Sequence, residues 1–451
     1  MLSSKLPNPK VVVEWCPHDS GLFAVGSDAL TLFECQVDRD VSSPVHASGL
    51  SVRPSLGPLS PRKTTQRRSK DFFRSLQTDA EVSQVRSMQW CPLPQQLIAA
   101  GVGTGKVVLS DFTQPVVELL PPRTSASMTM SGKAPRPSMH GTIGCNTVSW
   151  NQQNPHHIAA GFEKVRADCC AFVWDLTTQA SISSMASTPL DLLDTTKPSS
   201  YRGRSHGYSS PQPQPRPTLT NELANSEAVV ALDWLPSEPS CLATGTGFKW
   251  LRIYDIRAKT RFMEFSAHTK GVYGVVFDVH RPHLLATYSD DPKEPIKVWD
   301  IRSIQGARHE NEPVVTIPVS KLVSQIAWSP TQAGILASTA LDDRAISLWD
   351  VEHQIQLATS TPSVLSKPFK RRSTHEPVFA FAWQPGSTSV DEPPTSWNRM
   401  LFSTIGGKVE TLSVHDTMPL ALSSQHALGF ACGTLLFADR VDDDVRTVLT
   451  Y

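Results

Sequence analysis

This 451-residue sequence predicts an all-β fold, a seven-bladed β-propeller with long disordered loop insertions. Three recurring landmarks predict it: a strand that ends in an aromatic residue before a turn, a strand of small residues, and a third strand of alternating pattern. Any one match is weak. Seven coordinated recurrences of all three specify a repeat architecture, because one amphipathic sheet cannot bury both of its faces and must stack on neighbours until the ring closes.

The aromatic turns come first in each unit. They are Trp15-Cys16-Pro17, Trp90-Cys91-Pro92, Trp150 with Pro155, Trp234-Leu235-Pro236, Phe277 with Pro282, Trp328-Ser329-Pro330 and Trp383-Gln384-Pro385. The small-residue strands follow as LFAVG (22–26), LIAAG (97–101), IAAG (158–161), CLATG (241–245), LLATY (284–288), ILAST (335–339) and MLFST (400–404). Ala and Gly recur there because strands near a propeller axis crowd one another. Third strands read LTLF (30–33), KVVLSDF (106–112), AFVWD (171–175), LRIYD (251–255), IKVWD (296–300), ISLWD (346–350) and KVETL (408–412).

Residues 265–302 give the clearest unit. An Ala267-His268 pair precedes the strand ending at Phe277, and an acidic turn (Ser289, Asp290, Asp291) precedes the strand ending in Trp299-Asp300. This is a four-stranded blade of WD40 type with Ala-His in place of the usual Gly-His. A buried hydrogen-bonded tetrad is expected from His268, Ser289 (or Thr287), Asp290 (or Asp291) and Trp299. Its role is structural, since a histidine in such a set is a satisfied core residue.

Successive aromatic landmarks lie 75, 60, 84, 43, 51 and 55 residues apart, against a repeat of about 40–45. The excess must leave through loops. Residues 38–82, 121–142, 182–226 and 358–376 are rich in Ser, Pro, Gln and Thr and predict disordered insertions, with shorter ones at 304–314 and 386–397. The propeller is expected over 1–424. The tail, 425–451, holds three strand-like pieces and reads as an extra blade or the start of a further region.

Bulk properties bound the function. Lys plus Arg equals Asp plus Glu at 42 each, which removes any global electrostatic reason to expect nucleic acid or an acidic substrate. Eight cysteines (Cys16, Cys35, Cys91, Cys145, Cys169, Cys170, Cys241, Cys432) show no CxxC and no zinc-finger histidines, and read as reduced core thiols of an intracellular protein. No uncharged apolar run approaches membrane-spanning length, so no direct membrane insertion is expected.

No phosphate-binding glycine loop, HExxH or nucleophile constellation is present, so the sequence predicts no enzyme, no metal and no cofactor. Asp342-Asp343 and Asp442 to Asp444 lack calcium-loop spacing. The two basic clusters, Arg62 to Lys70 and Lys367 to Arg372, read as solvated loop charge. Alternatively they mark kinase-recognised loops, with Ser60 beside Pro61, Ser69 after Arg67-Arg68 and Ser373 after Arg371-Arg372 as the acceptors.

Beyond the generic repeat, NQQNPHHIAAGFEKVRADCCAFVWDL (151–176), EAVVALDWLPSEPSCLATGTGFKWLRIYDIR (227–257) and GVYGVVFDVHRPHLLATYSDDPKEPIKVWDIR (271–302) resemble one propeller family. These stretches are similar to the missing-oocyte (Mio) proteins of the SEA or GATOR nutrient-signalling complex. The resemblance implies a scaffold that promotes amino-acid-dependent TOR kinase signalling by opposing the GTPase-activating arm. It implies Seh-type and Sec-type propellers as partners, and a cytoplasmic chain recruited to the vacuolar or lysosomal surface through them. It also implies a helical solenoid and a Cys/His-rich zinc module, neither of which lies in these 451 residues, so the chain reads as a fragment or a truncated product. The tail would then either extend this ring or be donated to the Seh-type partner. A rival reading is a substrate receptor of a cullin-type ubiquitin ligase. It rests on Arg257 and Arg302, each two residues beyond a Tyr-Asp or Trp-Asp and so candidates for a partner-facing rim; the plainer account is that they cap the turn.

Overall fold

The computed structural model describes residues 11–36, 72–113, 116–122, 143–164, 168–177, 217–258, 260–306, 311–357, 363–386 and 399–414, and the backbone of 426–431, 434–439 and 445–450. Blade 1 holds β1 Val12–Trp15, β2 Leu22–Gly26, β3 Leu30–Gln36 and β4 Phe72–Asp79. Blade 2 holds β5 Val85–Trp90, β6 Ile98–Val102, β7 Val107–Ser110 and β8 Val117–Leu119. Blade 3 is β9 Cys145–Trp150, β10 His157–Phe162, β11 Cys169–Asp175 and β12 Thr218–Asn225. Blade 4 is β13 Val229–Trp234, β14 Cys241–Thr246, β15 Trp250–Asp255 and β16 Thr260–Ser266.

Blade 5 follows with β17 Val272–Phe277, β18 Leu284–Ser289, β19 Ile296–Asp300 and β20 Val315–Ile317. Blade 6 begins with β21 Val323–Trp328, β22 Ile335–Ala340 and β23 Ala345–Asp350. The chain then makes helix α1 Val351–Leu357 and β24 Ser363–Val364, which pairs in parallel with β20 as a fifth strand on blade 5, before returning as β25 Lys370–Ser373 to complete blade 6. Blade 7 has β26 Val378–Trp383, β27 Arg399–Thr404 and β28 Val409–Ser413. Each blade is an antiparallel meander, apart from the added β24. An eighth sheet, β29 His426–Ala431, β30 Thr434–Asp439 and β31 Val445–Thr450, is hydrogen-bonded to none of the seven.

All seven inner strands end on the aromatic residue that the sequence marks. The packing explains why. The buried apolar residues divide into seven clusters, one per seam between neighbouring blades. Successive residues of a second strand serve opposite seams, as a two-residue strand period requires: Ala99 packs toward blade 3 and Ala100 toward blade 1. The last seam joins blade 7 to blade 1 through Val11, Val13, Trp15, Phe23, Ala382 and Leu401, with Ser403 Oγ donating to the Val11 carbonyl at 2.7 Å.

Indole latches stitch the seams. Trp90, Trp234, Trp328 and Trp383 each donate Nε1–H to a backbone carbonyl of the preceding blade's inner strand, those of Glu14, Ser149, Val276 and Ala327, at 3.1–3.3 Å. In each case the acceptor is the residue just before that strand's own aromatic. Trp15 and Trp150 instead bond their own loops, at Ser20 and Pro155. Phe277 has no N–H on its ring. There Asp233, at the equivalent position of blade 4, accepts the Phe277 backbone N–H at 2.8 Å.

Small residues in the second strands meet the next blade directly. A Cβ on Gly161 would lie 2.6 Å from Val229 Cγ1, and one on Gly101 would lie 2.7 Å from Cys145 Sγ. No side chain fits there without moving the adjacent inner strand.

One expectation needs correction. The spans 38–82, 182–226 and 358–376 are not insertions throughout: they contain the outer strands β4, β12, β24 and β25. The composition argument fails because an outer strand faces solvent on one edge and needs few apolar residues. The short helix α1 starts where Asp350 Oδ1 accepts the His353 N–H at 2.9 Å. No helix among the described residues is long and apolar enough to cross a membrane.

Candidate interaction surfaces

Antiparallel meanders sort the turns onto two faces. The first-to-second and third-to-fourth strand turns share one face, here the lower. The second-to-third turns and the inter-blade connections share the upper. The long connections after β3 and β11 therefore leave from the lower face, and the one after β8 from the upper.

Blade 5 carries its polar core beneath the upper face. His268 Nε2 lies 2.9 Å from Thr287 Oγ1, which also accepts Trp299 Nε1–H at 3.0 Å, and all three side chains are buried. Thr269 Oγ1 hydrogen-bonds to Asp291 Oδ2, and Asp291 Oδ1 accepts the Lys293 N–H. The hydroxyl of the set is thus Thr287 and the carboxylate in the adjoining turn is Asp291. Ser289 and Asp290 sit beside it in other roles: Ser289 Oγ accepts the Asp291 N–H at 3.3 Å, and the Asp290 carbonyl accepts from Lys270 Nζ. The reason is register: Thr287 and Ser289 share a face of the strand, but Thr287 pairs with Lys297, two residues from Trp299, whereas Ser289 lies past the end of that ladder. Burial, helped by the nearby Lys297 charge and opposed by Asp291, lowers the His268 pKa to about 3, so the imidazole is neutral at physiological pH. The pair is sealed inside the blade, Thr287 being fully buried, which fits a structural role. In blade 6 the same indole contact recurs without a histidine, Trp349 Nε1 donating to Ser338 Oγ at 2.8 Å.

The rim arginines fold back. Arg302 donates Nε and Nη2 to the Asp300 carboxylate at 3.0 and 2.6 Å, and its backbone N–H adds a third bond. Arg257 makes the same fork to Asp255 at 3.1 and 3.0 Å, with Glu238 at 3.4 Å. These guanidinium bonds hold both aspartates below the usual carboxylate range. Both arginines close the turn after the third strand, on the lower face, while remaining 66–67% exposed.

Of the phosphoacceptor residues, Ser60 and Ser69 lie outside the described residues. Ser373 is exposed at the end of β25, where it pairs with Ala345 in a ladder. Most of the Arg166-Ala167-Asp168 turn is likewise outside the description; Asp168 alone is in it. The buried thiols, among them Cys16, Cys91, Cys145 and Cys241, lie in the seams, and burial pushes Cys145 up to about 12. Among the described residues no group of three or more His, Cys, Asp or Glu could hold a metal ion.

One surface feature is hidden in the sequence. The third-to-fourth strand ladders of blades 1, 3 and 4 each skip one residue on the outer strand: Leu76, Thr220 and Phe262. Such bulges turn a side chain out of the ladder. Leu76 is 41% exposed and Phe262 66%, so two blades present an apolar knob on the rim. An alternating pattern with one extra residue looks like no pattern, so these strands resemble loop in the sequence.

Seven stacked blades, the last three-stranded among the described residues, with indole latches across four of the seams and an Ala-His/Thr/Trp core in blade 5, define a WD40 propeller, a class whose faces and rim serve as binding surfaces. The solved β-propeller domain of Cps50 (Swd1) from Myceliophteria thermophila superposes with a TM-score of 0.52 at 9% identity, covering 89% of this chain and 96% of that one. That likeness concerns the fold. The family model described as "MIOS, WD40 repeat" matches residues 65–414, and the chain belongs to that family. It is 27% identical over 420 residues to the GATOR2 complex protein MIOS of Dictyostelium discoideum, covering 81% of this chain and 34% of that protein. It is also 27% identical over 428 residues to GATOR2 complex protein MIOS-A of Xenopus laevis, covering 94% and 42%. The chain thus spans between a third and a half of the length of these relatives.

Proposed function

We propose that this chain is a non-catalytic propeller scaffold of a SEA/GATOR-type complex. In that role it promotes amino-acid-dependent TOR kinase signalling by opposing the GTPase-activating arm. Its partners are Seh-type and Sec-type propellers, which hold it, as a cytoplasmic protein, at the vacuolar or lysosomal surface. Family membership supports this, together with relatives named as GATOR2 complex proteins.

The observation that carries the assembly role is the eighth sheet. Its first ladder, β29 with β30, is in step, and its second skips one residue on β31 between Leu435 and Leu436. Strands two to four of blades 1, 3 and 4 have that same register, whereas first-to-second ladders carry their irregularity on the inner strand in blades 2 to 7. The sheet therefore resembles a blade without its innermost strand. Such a piece is suited to completing another propeller, since seven seams already close this ring.

Affinity purification of the full chain with mass spectrometry tests the reading. Seh-type and Sec-type propellers are expected, and deletion of 425–451 should remove the Seh-type partner while leaving the chain's melting transition in place. Recovery of a cullin adaptor instead would favour the ligase-receptor reading, which the folded-back Arg257 and Arg302 do not support. Retention of the Seh-type propeller by the deletion variant would overturn blade donation alone.

A further inference from the structure

Blade 6 ends in an outer strand unlike the others. β4, β8, β12, β16 and β20 each send apolar side chains into a seam, for example Phe73, Leu119, Leu223, Phe265 and Ile317. β25 sends none: it reads Lys370-Arg371-Arg372-Ser373. Its position is nevertheless set at both ends. Phe369 packs against the blade 6–7 cluster and donates its N–H to the Leu348 carbonyl at 3.0 Å, and the Thr374 N–H reaches the Arg344 carbonyl at 2.8 Å. Between these anchors the strand pairs with β23 along one edge, and no described strand pairs with the other.

Charge is concentrated here in a chain whose formal net charge is zero. Asp343 Oδ1 is shared by Arg371 Nη2 at 2.5 Å and Lys321 Nζ at 3.2 Å, so one carboxylate answers two cations. Among the described residues no carboxylate pairs with the exposed Lys370 or with Lys367.

We infer that β25 is a docking edge for an acidic, extended segment of a partner protein, which adds as a further strand and lays carboxylates along the face that carries Lys370. An edge strand offers a row of backbone donors and acceptors, roughly 13 Å long for four residues at about 3.3 Å each. A second copy of β25 would set like charges opposite one another, which disfavours self-pairing. An anionic membrane could neutralise the lysines but has no peptide groups to satisfy the edge. An acidic strand meets both requirements, in the manner of strand addition to sheet edges. The inference is independent of membership in any particular complex.

The test uses the 451-residue chain and a fluorescein-labelled ten-residue peptide alternating Glu and Val. The same peptide with Lys for Glu and phosphatidylserine vesicles serve as comparators. Anisotropy should show the Glu peptide binding at least tenfold tighter than the Lys peptide, and Lys370→Glu should weaken it about tenfold without moving the melting temperature. Lys370→Gln should fall between. Hydrogen exchange at saturating Glu peptide should slow at amides 370–373. Equal binding of both peptides, protection elsewhere in the chain, or vesicle binding that alone responds to Lys370→Glu would each overturn the inference.

Discussion

Inner and outer strands of the same blades obey opposite rules. An inner strand is flanked by two seams, and nearly every residue in it has a fixed role. The terminal aromatic fills a seam, most of the indoles latch to the blade before, and the residue preceding the aromatic offers the carbonyl. An outer strand is held by one ladder and a few apolar anchors, and what remains of it faces solvent. Trp90 is 2% exposed in β5, whereas Phe262 is 66% exposed in β16. The difference teaches that the ring is specified near the axis and that the rim, where substitution costs the fold little, is free to vary.

The comparison can be broken at its strongest point first. Trp90→Ala should destabilise the chain by about 3–5 kcal/mol in chemical denaturation, by loss of buried contacts. Trp90→Phe should cost much less, about 1 kcal/mol, the contribution of one hydrogen bond, because Phe277 already occupies the equivalent place in blade 5. A loss as large for Phe as for Ala would show that the latch, not the burial, holds the seam. Thr287→Val comes next. It strips the shared partner from His268 and Trp299 and should cost about 2–3 kcal/mol; a neutral result in the same assay would remove the blade 5 core from the account of stability.

Acid should act on that core as well. The His268 pKa is depressed in the folded state, so the unfolded chain takes up a proton first as pH falls below about 6.5. Stability supplied by the neutral ring is therefore complete above that pH and is lost progressively toward about 3. The loss is at most about 1.4 kcal/mol per pH unit. Melting temperatures measured from pH 7 to pH 4 should decline, and His268→Asn should flatten the decline. Glu14 and Asp233 run the other way: burial raises them to about 8 and about 7. Each favours the fold at lower pH, and that preference fades as pH rises from about 4 toward those values. The His268→Asn comparison isolates the one group from the other two.

The smallest effect is expected at the rim. Phe262→Ser should change stability by no more than about 0.5 kcal/mol, as surface substitutions usually do, and any larger loss in thermal melting would place Phe262 among the structural residues after all. If the same variant loses a partner in affinity purification while melting normally, the bulge-borne knob is a contact.

What can be read from the sequence follows the same division. The seven aromatic ends, the small second strands and the third strands are all legible, because crowding from both sides leaves few residue types acceptable, as the neighbours of Gly161 and Gly101 show. His268 and Trp299 are legible for the same reason. Their hydroxyl partner is not: Thr287 and Ser289 lie two apart on the same strand, and only the fold shows that Thr287 reaches both rings.

The outer strands β4 and β12 resemble insertions in part because a one-residue bulge at Leu76 or Thr220 erases the alternation that marks a strand. The sequence by itself determined the number of blades and the residues that fill their seams, since those depend on local period and side-chain size. Tertiary structure alone decided which carbonyl each indole finds, that Asp233 stands in where Phe277 has no donor, that Arg257 and Arg302 are spent on their own turns, and that β24 crosses to blade 5. Those choices depend on which atoms from distant parts of the chain meet, and spacing along the chain does not encode that.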